Sequence, residues 1–527
     1  MRSDDLAGVD FPAGPDGRRS TSAVGRAVVA DALRAADPVL AQRAEREANW
    51  RTGYLTHFRA LVEAGLASPD VAVAVAAGGL DSLYRQLRAV GADGAESGLD
   101  ALLTAPARRA LALVPVSGTA AAHRTLAVPY RGTVLHGDAL GRQLAAWVAA
   151  GTVEPSFGTA VDEVARHPDW LRLEGWTVAV LGAGAEMGPV STLLGWGARV
   201  LAVDLPQPAI WERLLTAARD GAGTLLVPVD GPAGRGAADG VGADAGGSGR
   251  GAADEGASLA RRAGADLVSD VASVADGLTA GDFAAGGSLV LASYAYADGA
   301  GHVRVAAAVD ALTRRVQAQR ADVALAFLAT PTDVFAVPAD AVAAADRAYG
   351  ARSPASRLAG GSLHMLSGGR LLQRAYQPGA DPGINDSLVA QQGPNYALAK
   401  RLQRWRATVA RRDGATVSIN IAPLTRTRSV LKNRALAAAY AGAHRFGVEV
   451  FEPETSRVLM AALLVYDLHA GGGATGGGAA GGGAAGERHP WQDEAHAAAH
   501  GGLWRMAYAP RSALSLAAAL GYLRSGK

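Results

Sequence analysis

The chain has 527 residues, 49% of them hydrophobic and 19% charged, a balance that suits a folded globular protein of two to four domains at about 150 residues each. Fifty-one basic against 49 acidic residues leave a net charge of +2 and no basic stripe, which argues against a nucleic-acid partner. The absence of cysteine excludes disulfides, thiolate zinc sites and cysteine nucleophiles; with no secretory apolar core near Met1 and no membrane-length apolar run, the expectation is a soluble cytoplasmic protein with no membrane partner.

Residues 1–22 are polar, with Pro and Gly, and read as a loose arm. From there to residue 105 apolar residues recur at three- and four-residue steps, as in Thr52–Leu66 and Leu80–Val90, the period of a helix. Residues 111–137 change character: LALVPVSGT and RTLAVPYRGTVL are short strands interrupted by Pro and Gly. Asp138–Val153 and Phe157–Trp170 return to a helical pattern. Residues 1–172 are therefore an α-rich N-terminal region, a cap or an oligomerisation domain, and residues 173–527 a second unit.

That unit opens on Thr177–Asp204, TVAVLGAGAEMGPVSTLLGWGARVLAVD. Thr177–Leu181 is a buried strand by composition, Gly182, Gly184 and Gly188 open an amphipathic segment, and Arg199–Val203 is a second strand ending in Asp204. Glycines let the backbone approach a pyrophosphate, and the following helix offers free N–H groups to it. An acid about 20 residues on accepts hydrogen bonds from a ribose hydroxyl. A strand-to-helix turn that binds nothing has the same glycines; strand, turn, helix, strand and acid in order favour a dinucleotide site.

Strand and helix then alternate. Ile210–Arg219 is a helix and Thr224–Val229 a strand. The Gly/Ala/Asp tract at 231–258 reads as a flexible surface insertion. Ser269–Leu278 is helical, Ser288–Ser293 a strand, His302–Arg320 a helix, Val323–Ala329 a strand and Ala339–Tyr349 a helix. An apolar run at Ser362–Leu366 follows, then a helix over Asn395–Ala410, a strand over Ala415–Ala422, helices at Ser429–His444 and Glu454–Leu468, and a second Gly/Ala tract at 470–486. Strands joined by helices of this length imply an α/β fold with a doubly wound parallel Rossmann sheet.

Tyr396 and Lys400, four apart in GPNYALAKRLQRW, share one helix face. An ammonium beside a phenol favours the phenolate, so the pair suits proton transfer to a substrate oxygen. An ordinary helix surface also presents such pairs. Here the helix is followed by a strand, by Ala422-Pro423 and by a Thr-rich loop.

This order of motifs resembles the short-chain dehydrogenase/reductase superfamily over roughly 174–527. The segment FEPETSRVLMAALLVYDL (Phe451–Leu468) is similar to that family's late helix. The resemblance implies Tyr396 as acid/base and Lys400 as the group that lowers its pKa and binds the nicotinamide ribose. It places Gly182, Gly184 and Gly188 on the pyrophosphate, Thr425 or Thr427 at the carboxamide, and Asp204 on the adenosine ribose, which favours NAD over NADP. Leu181 and Glu186 depart from the family's glycine turn, Leu424 stands where glycine is usual after the proline, and the family's serine position before the tyrosine holds Gly383. Ser367, ending SLHMLS, is the first substitute for that serine, with Thr330 and Thr332 as alternatives.

The implied activity is NAD(P)-dependent interconversion of a carbonyl and an alcohol on a small-molecule or acyl substrate. A dinucleotide-using dehydratase, epimerase or enoyl reductase, or a non-catalytic NAD-binding module, remain the other readings, and a homo-oligomer is left open. The cluster Arg426, Arg428, Lys432 and Arg434 can hold an anionic handle, though a solvated helix start looks the same. His123 and His136 are candidates to cap the site from the N-terminal region. His496 and His500 are four apart without the glutamate of a zinc motif, and no metal is expected.

Overall fold

The computed structural model describes residues 7–231, 249–280, 287–470 and 488–525. It is a mixed α/β protein built on one seven-stranded, mostly parallel sheet. The strands, in chain order, are β1 (Leu111–Ser117), β2 (Trp176–Leu181), β3 (Arg199–Val203), β4 (Thr224–Asp230), β5 (Ser288–Ser293), β6 (Val323–Ala329) and β7 (Val417–Ile421). Their order across the sheet is β7-β6-β5-β2-β3-β4-β1. All neighbours are parallel except β1, which runs antiparallel to β4 with Leu111 opposite Asp230 and Ser117 opposite Thr224.

Parallel strands buried on both faces need continuous apolar text, and WTVAVL, RVLAV, SLVLAS and VALAFLA supply it. Alternate residues point to two cores. Ala179, Leu181, Leu201, Leu291, Leu325 and Phe327 face one core with helices α1 (Thr21–Arg34), α2 (Trp50–Gly65), α3 (Pro69–Gln86), α7 (Ala300–Gln317) and α9 (Pro394–Arg412). Val178, Val180, Val200, Val290 and Ala324 face the other, with α4 (Pro155–Arg166), α5 (Val190–Gly195), α6 (Pro208–Arg219) and α11 (Pro453–Ala470).

The chain before residue 173 contributes to this same body. It supplies the edge strand β1, and α3 packs directly on α9: a Cβ on Gly79 would fall 2.2 Å from the Trp405 ring, so only glycine admits that tryptophan. Tyr84 on α3 donates to the Asp310 carboxylate at 2.8 Å, which also receives Arg406 at 2.6 and 2.9 Å. Ser68 starts α3 by accepting from the Val71 N–H at 3.2 Å, with Pro69 at the first helical position.

Several expectations are corrected. The apolar run at Ser362–Leu366 is the end of a helix, α8 (Pro354–Leu366), and Thr425 forms a single bridge to Phe451. Ser429–His444 is broken into Arg428–Lys432 and α10 (Arg434–Gly442), with Asn433 capping the latter. Val334–Val337 pairs antiparallel with Gly383–Asp386 in a small separate sheet. Of the tract at 231–258, residues 232–248 lie outside the described residues and Gly249–Arg262 is helical. The tract at 470–486 lies outside them from residue 471 on. Among the described residues no helix is long and apolar enough to cross a membrane.

Candidate functional site

The carboxyl ends of β2, β3, β5, β6 and β7 all open into one cavity of about 1100 Å³. It lies where the chain, having built β2-β3-β4 outward in one direction, crosses to build β5-β6-β7 in the other, the place where open α/β sheets offer a crevice to ligands.

At the β2 side, Gly182 adopts φ +83° and its N–H donates to the Val203 carbonyl at 2.8 Å. A Cβ there would fall 2.4 Å from Ala295 Cα, so the turn after β2 and the loop after β5 touch backbone to backbone. The Gly184 N–H donates to Asp204 Oδ2 at 2.7 Å, and Leu205 N–H to Oδ1 at 2.8 Å. Burial raises the Asp204 carboxyl above its ordinary value, opposed by these two donors. Gly188 stands outside the cavity wall; its N–H closes the turn on Ala185 O at 2.9 Å. The helix expected to begin in this turn is delayed to Val190 and lasts six residues. Pro189 disfavours the helical conformation at Gly188 and so moves the start past itself. Glu186 is turned to the far wall, where its carboxylate accepts from the Arg428 N–H at 2.9 Å.

At the β6 side stand Tyr396 and Lys400, both on the cavity wall with Thr330 and Thr332. Burial pushes the Tyr396 phenol up, and the Thr330 hydroxyl beside it partly offsets this. Lys400 does not act on that phenol as expected. Its Nζ donates to Leu328 O at 3.1 Å and Gln403 Oε1 at 3.2 Å, and burial, opposed by Asp333, brings it down to about 8. Ser367 is also corrected: it caps the exposed end of α8, away from the cavity, with its hydroxyl donating to His364 O at 2.8 Å. The hydroxyl at Tyr396 comes from Thr330 at the end of β6, because α8 is a helix and not the strand that would have delivered Ser367.

Thr425 and Thr427 both line the cavity; Thr425 is spent on Ser456 Oγ at 2.7 Å, while Thr427 pairs with Ser429 Oγ at 3.0 Å near the surface. From the N-terminal region the wall receives Thr21, Ser22 and Arg51, not His123 or His136. His500 lies elsewhere, buried against Glu154 at 2.9 Å.

His302, on the first turn of α7, is the group that sequence reading missed. It is 1% exposed, lines the cavity, and has no hydrogen-bond partner among the described residues on either ring nitrogen. Its ring centroid is 5.3 Å from that of Tyr396 and 5.0 Å from that of Tyr296. Burial, with Lys400 nearby, brings it down to about 3, so the ring is neutral at pH 7. Leaving a buried polar group unpaired costs about 1–3 kcal/mol, a cost that a ligand's hydrogen bond removes. In sequence it stands six residues after Tyr296, at the start of a helix, with no spacing pattern to mark it.

Comparison with protein-family models, with curated proteins and with solved structures gave no match.

Proposed function

We propose that this protein is an NAD(H)-dependent oxidoreductase of the short-chain dehydrogenase/reductase kind, interconverting a carbonyl and an alcohol on a doubly wound Rossmann sheet. One observation carries the reading: the Gly182–Asp204 unit and the Tyr396–Thr330–Lys400 group line the same cavity. The strand order supports it, since β4-β3-β2-β5-β6-β7 is the 3-2-1-4-5-6 order of dinucleotide-binding sheets.

The residues present fit a dinucleotide. A Cβ on Gly182 or Gly184 would fill the turn, at 2.4 Å from Ala295 Cα and 2.7 Å from Ile210 Cγ2 respectively. A carboxylate has about four lone-pair sites, so Asp204 keeps acceptors for ribose hydroxyls beyond its two backbone donors. The bound nicotinamide supplies or takes the hydride. Tyr396, kept protonated by burial, donates its proton to the carbonyl oxygen; Thr330 and His302 orient that oxygen by hydrogen bonds. Lys400 is held by Leu328 and Gln403, where it sets the field of the site without contacting the phenol. That engagement favours the second reading, a dinucleotide-binding module without hydride transfer.

NADH is expected to raise the melting temperature more than NADPH; no shift with either overturns both readings. With a panel of aldehydes and ketones, Tyr396→Phe is expected to slow NADH oxidation by about 10²–10⁴-fold while the NADH-induced shift persists. NADH binding with no oxidation by wild type for any of the panel selects the non-catalytic module.

A further inference from the structure

The cavity does not end at the reaction centre. Beyond Tyr396 it continues along α10 and a C-terminal helix, α12 (Pro510–Ser525), past Leu436, Tyr440, Phe446, Leu503, Met506 and Leu514. The charged side chains on the wall, Arg51, Glu186, Asp204, Asp266, Lys400 and Arg428, all come from the chain before Val430. Among the described residues from Val430 onward the lining carries no charge, and its polar side chains are Asn433 and Tyr440. At about 1100 Å³ the whole exceeds the usual ~300–1,000 Å³ of a ligand pocket.

The walls of this arm are fixed. A Cβ on Gly442 of α10 would fall 2.0 Å from Ala517 O, and one on Gly521 of α12 would fall 1.9 Å from Ala438 O. The two helix backbones therefore touch, and residues flanking this contact, Ala439 and Tyr440 on α10 and Ala513 and Leu514 on α12, line the arm. An arm walled by this tightly packed helix pair, and by uncharged side chains, rewards a ligand that removes apolar surface from water.

We infer that the substrate carries an aliphatic hydrocarbon chain, with its carbonyl or carbinol carbon at Tyr396 and Thr330 and its chain in the arm lined by α10 and α12. The class is an alkyl or acyl ketone, aldehyde or alcohol rather than a sugar or a charged metabolite. The inference rests on the oxidoreductase reading for the identity of the head group, but not for the chain.

Calorimetric titration of the full chain, with and without NADH, against straight-chain methyl ketones from acetone to methyl octyl ketone tests it. Affinity is expected to rise about fourfold per added methylene until the arm is full. Leu514→Trp, which fills the arm, is expected to weaken methyl octyl ketone about tenfold or more and acetone less. Affinity independent of chain length in wild-type protein that binds NADH overturns the arm and leaves the dinucleotide reading standing. A rising series in protein that does not bind NADH does the reverse. A loss in L514W that is equal for acetone and methyl octyl ketone also overturns it.

Discussion

Lys400 and His302 are two basic side chains that the protein keeps in a site where charge is costly. Native Lys400 holds its proton less tightly than an unfolded lysine, about 8 against 10.5, because burial penalises the ammonium. The unfolded chain then binds more protons between these values, so this residue's contribution to stability improves as pH rises through that window. Replacing it by methionine removes the dependence. The melting temperature of Lys400→Met relative to wild type is therefore expected to be highest below pH 8 and to fall steadily toward pH 10.5; a flat difference refutes the assignment. His302 was not legible beforehand because a single histidine in an alanine-rich helix has no spacing signal. Its meaning comes from the ring of Tyr396, 94 residues away in sequence and 5.3 Å away in space.

Among the elements, the β2 turn makes the sharpest demand on sequence. Gly182 and Gly414 have similar positive φ, +83° and +88°, but a Cβ on Gly414 meets nothing within 4 Å whereas one on Gly182 strikes Ala295. Gly414→Ala is expected to cost only the left-handed conformation, about 1–2 kcal/mol. Gly182→Ala is expected to cost more, and to abolish the NADH-induced rise in melting temperature that Gly414→Ala keeps. Equal melting shifts in the two variants would remove the backbone contact from the account. The sheet itself was readable: Ser288–Ser293 and Val323–Ala329 fall where the sequence places them, since strands buried on both faces leave unbroken apolar runs. The errors came from local ambiguity. Ser362–Leu366 is too short for its period to show, and it becomes helical only as the last turn of a helix capped at Ser353. The arm lined by α10 and α12 was invisible because it is made by contacts between segments some 70 residues apart.

Across the whole molecule, early and late parts of the chain are fastened by buried ion pairs. Glu154, just before α4, is 3% exposed and receives Arg505 at 2.9 and 2.6 Å and His500 at 2.9 Å. Burial alone would raise its pKa, but these hydrogen bonds and the Arg505 charge bring it down to about 2 from 4.5. The stabilisation it gives is complete above pH 4.5 and is lost as pH falls toward 2. Glu154→Gln leaves Arg505 with only the more exposed Asp340 carboxylate, 2.6 Å away, as its anion and is expected to lose about 1–3 kcal/mol at neutral pH. The variant's stability is also expected to decline less steeply than wild type between pH 4.5 and 2, read by urea unfolding at each pH. Parallel declines would show that Glu154 is not the titrating group.

The packing of α2 and α3 on α9, and the pairing of β1 with β4, have a consequence for how the protein is made. The Tyr54 hydroxyl donates to Val389 O, a partner 335 residues later. Two apolar helices and an edge strand leave the ribosome long before the surfaces that cover them exist. Non-local closure of this kind is slow and leaves sticky surface waiting. The face of the amino-terminal helices that meets α9 therefore stays uncovered until residues 394–412 have been made.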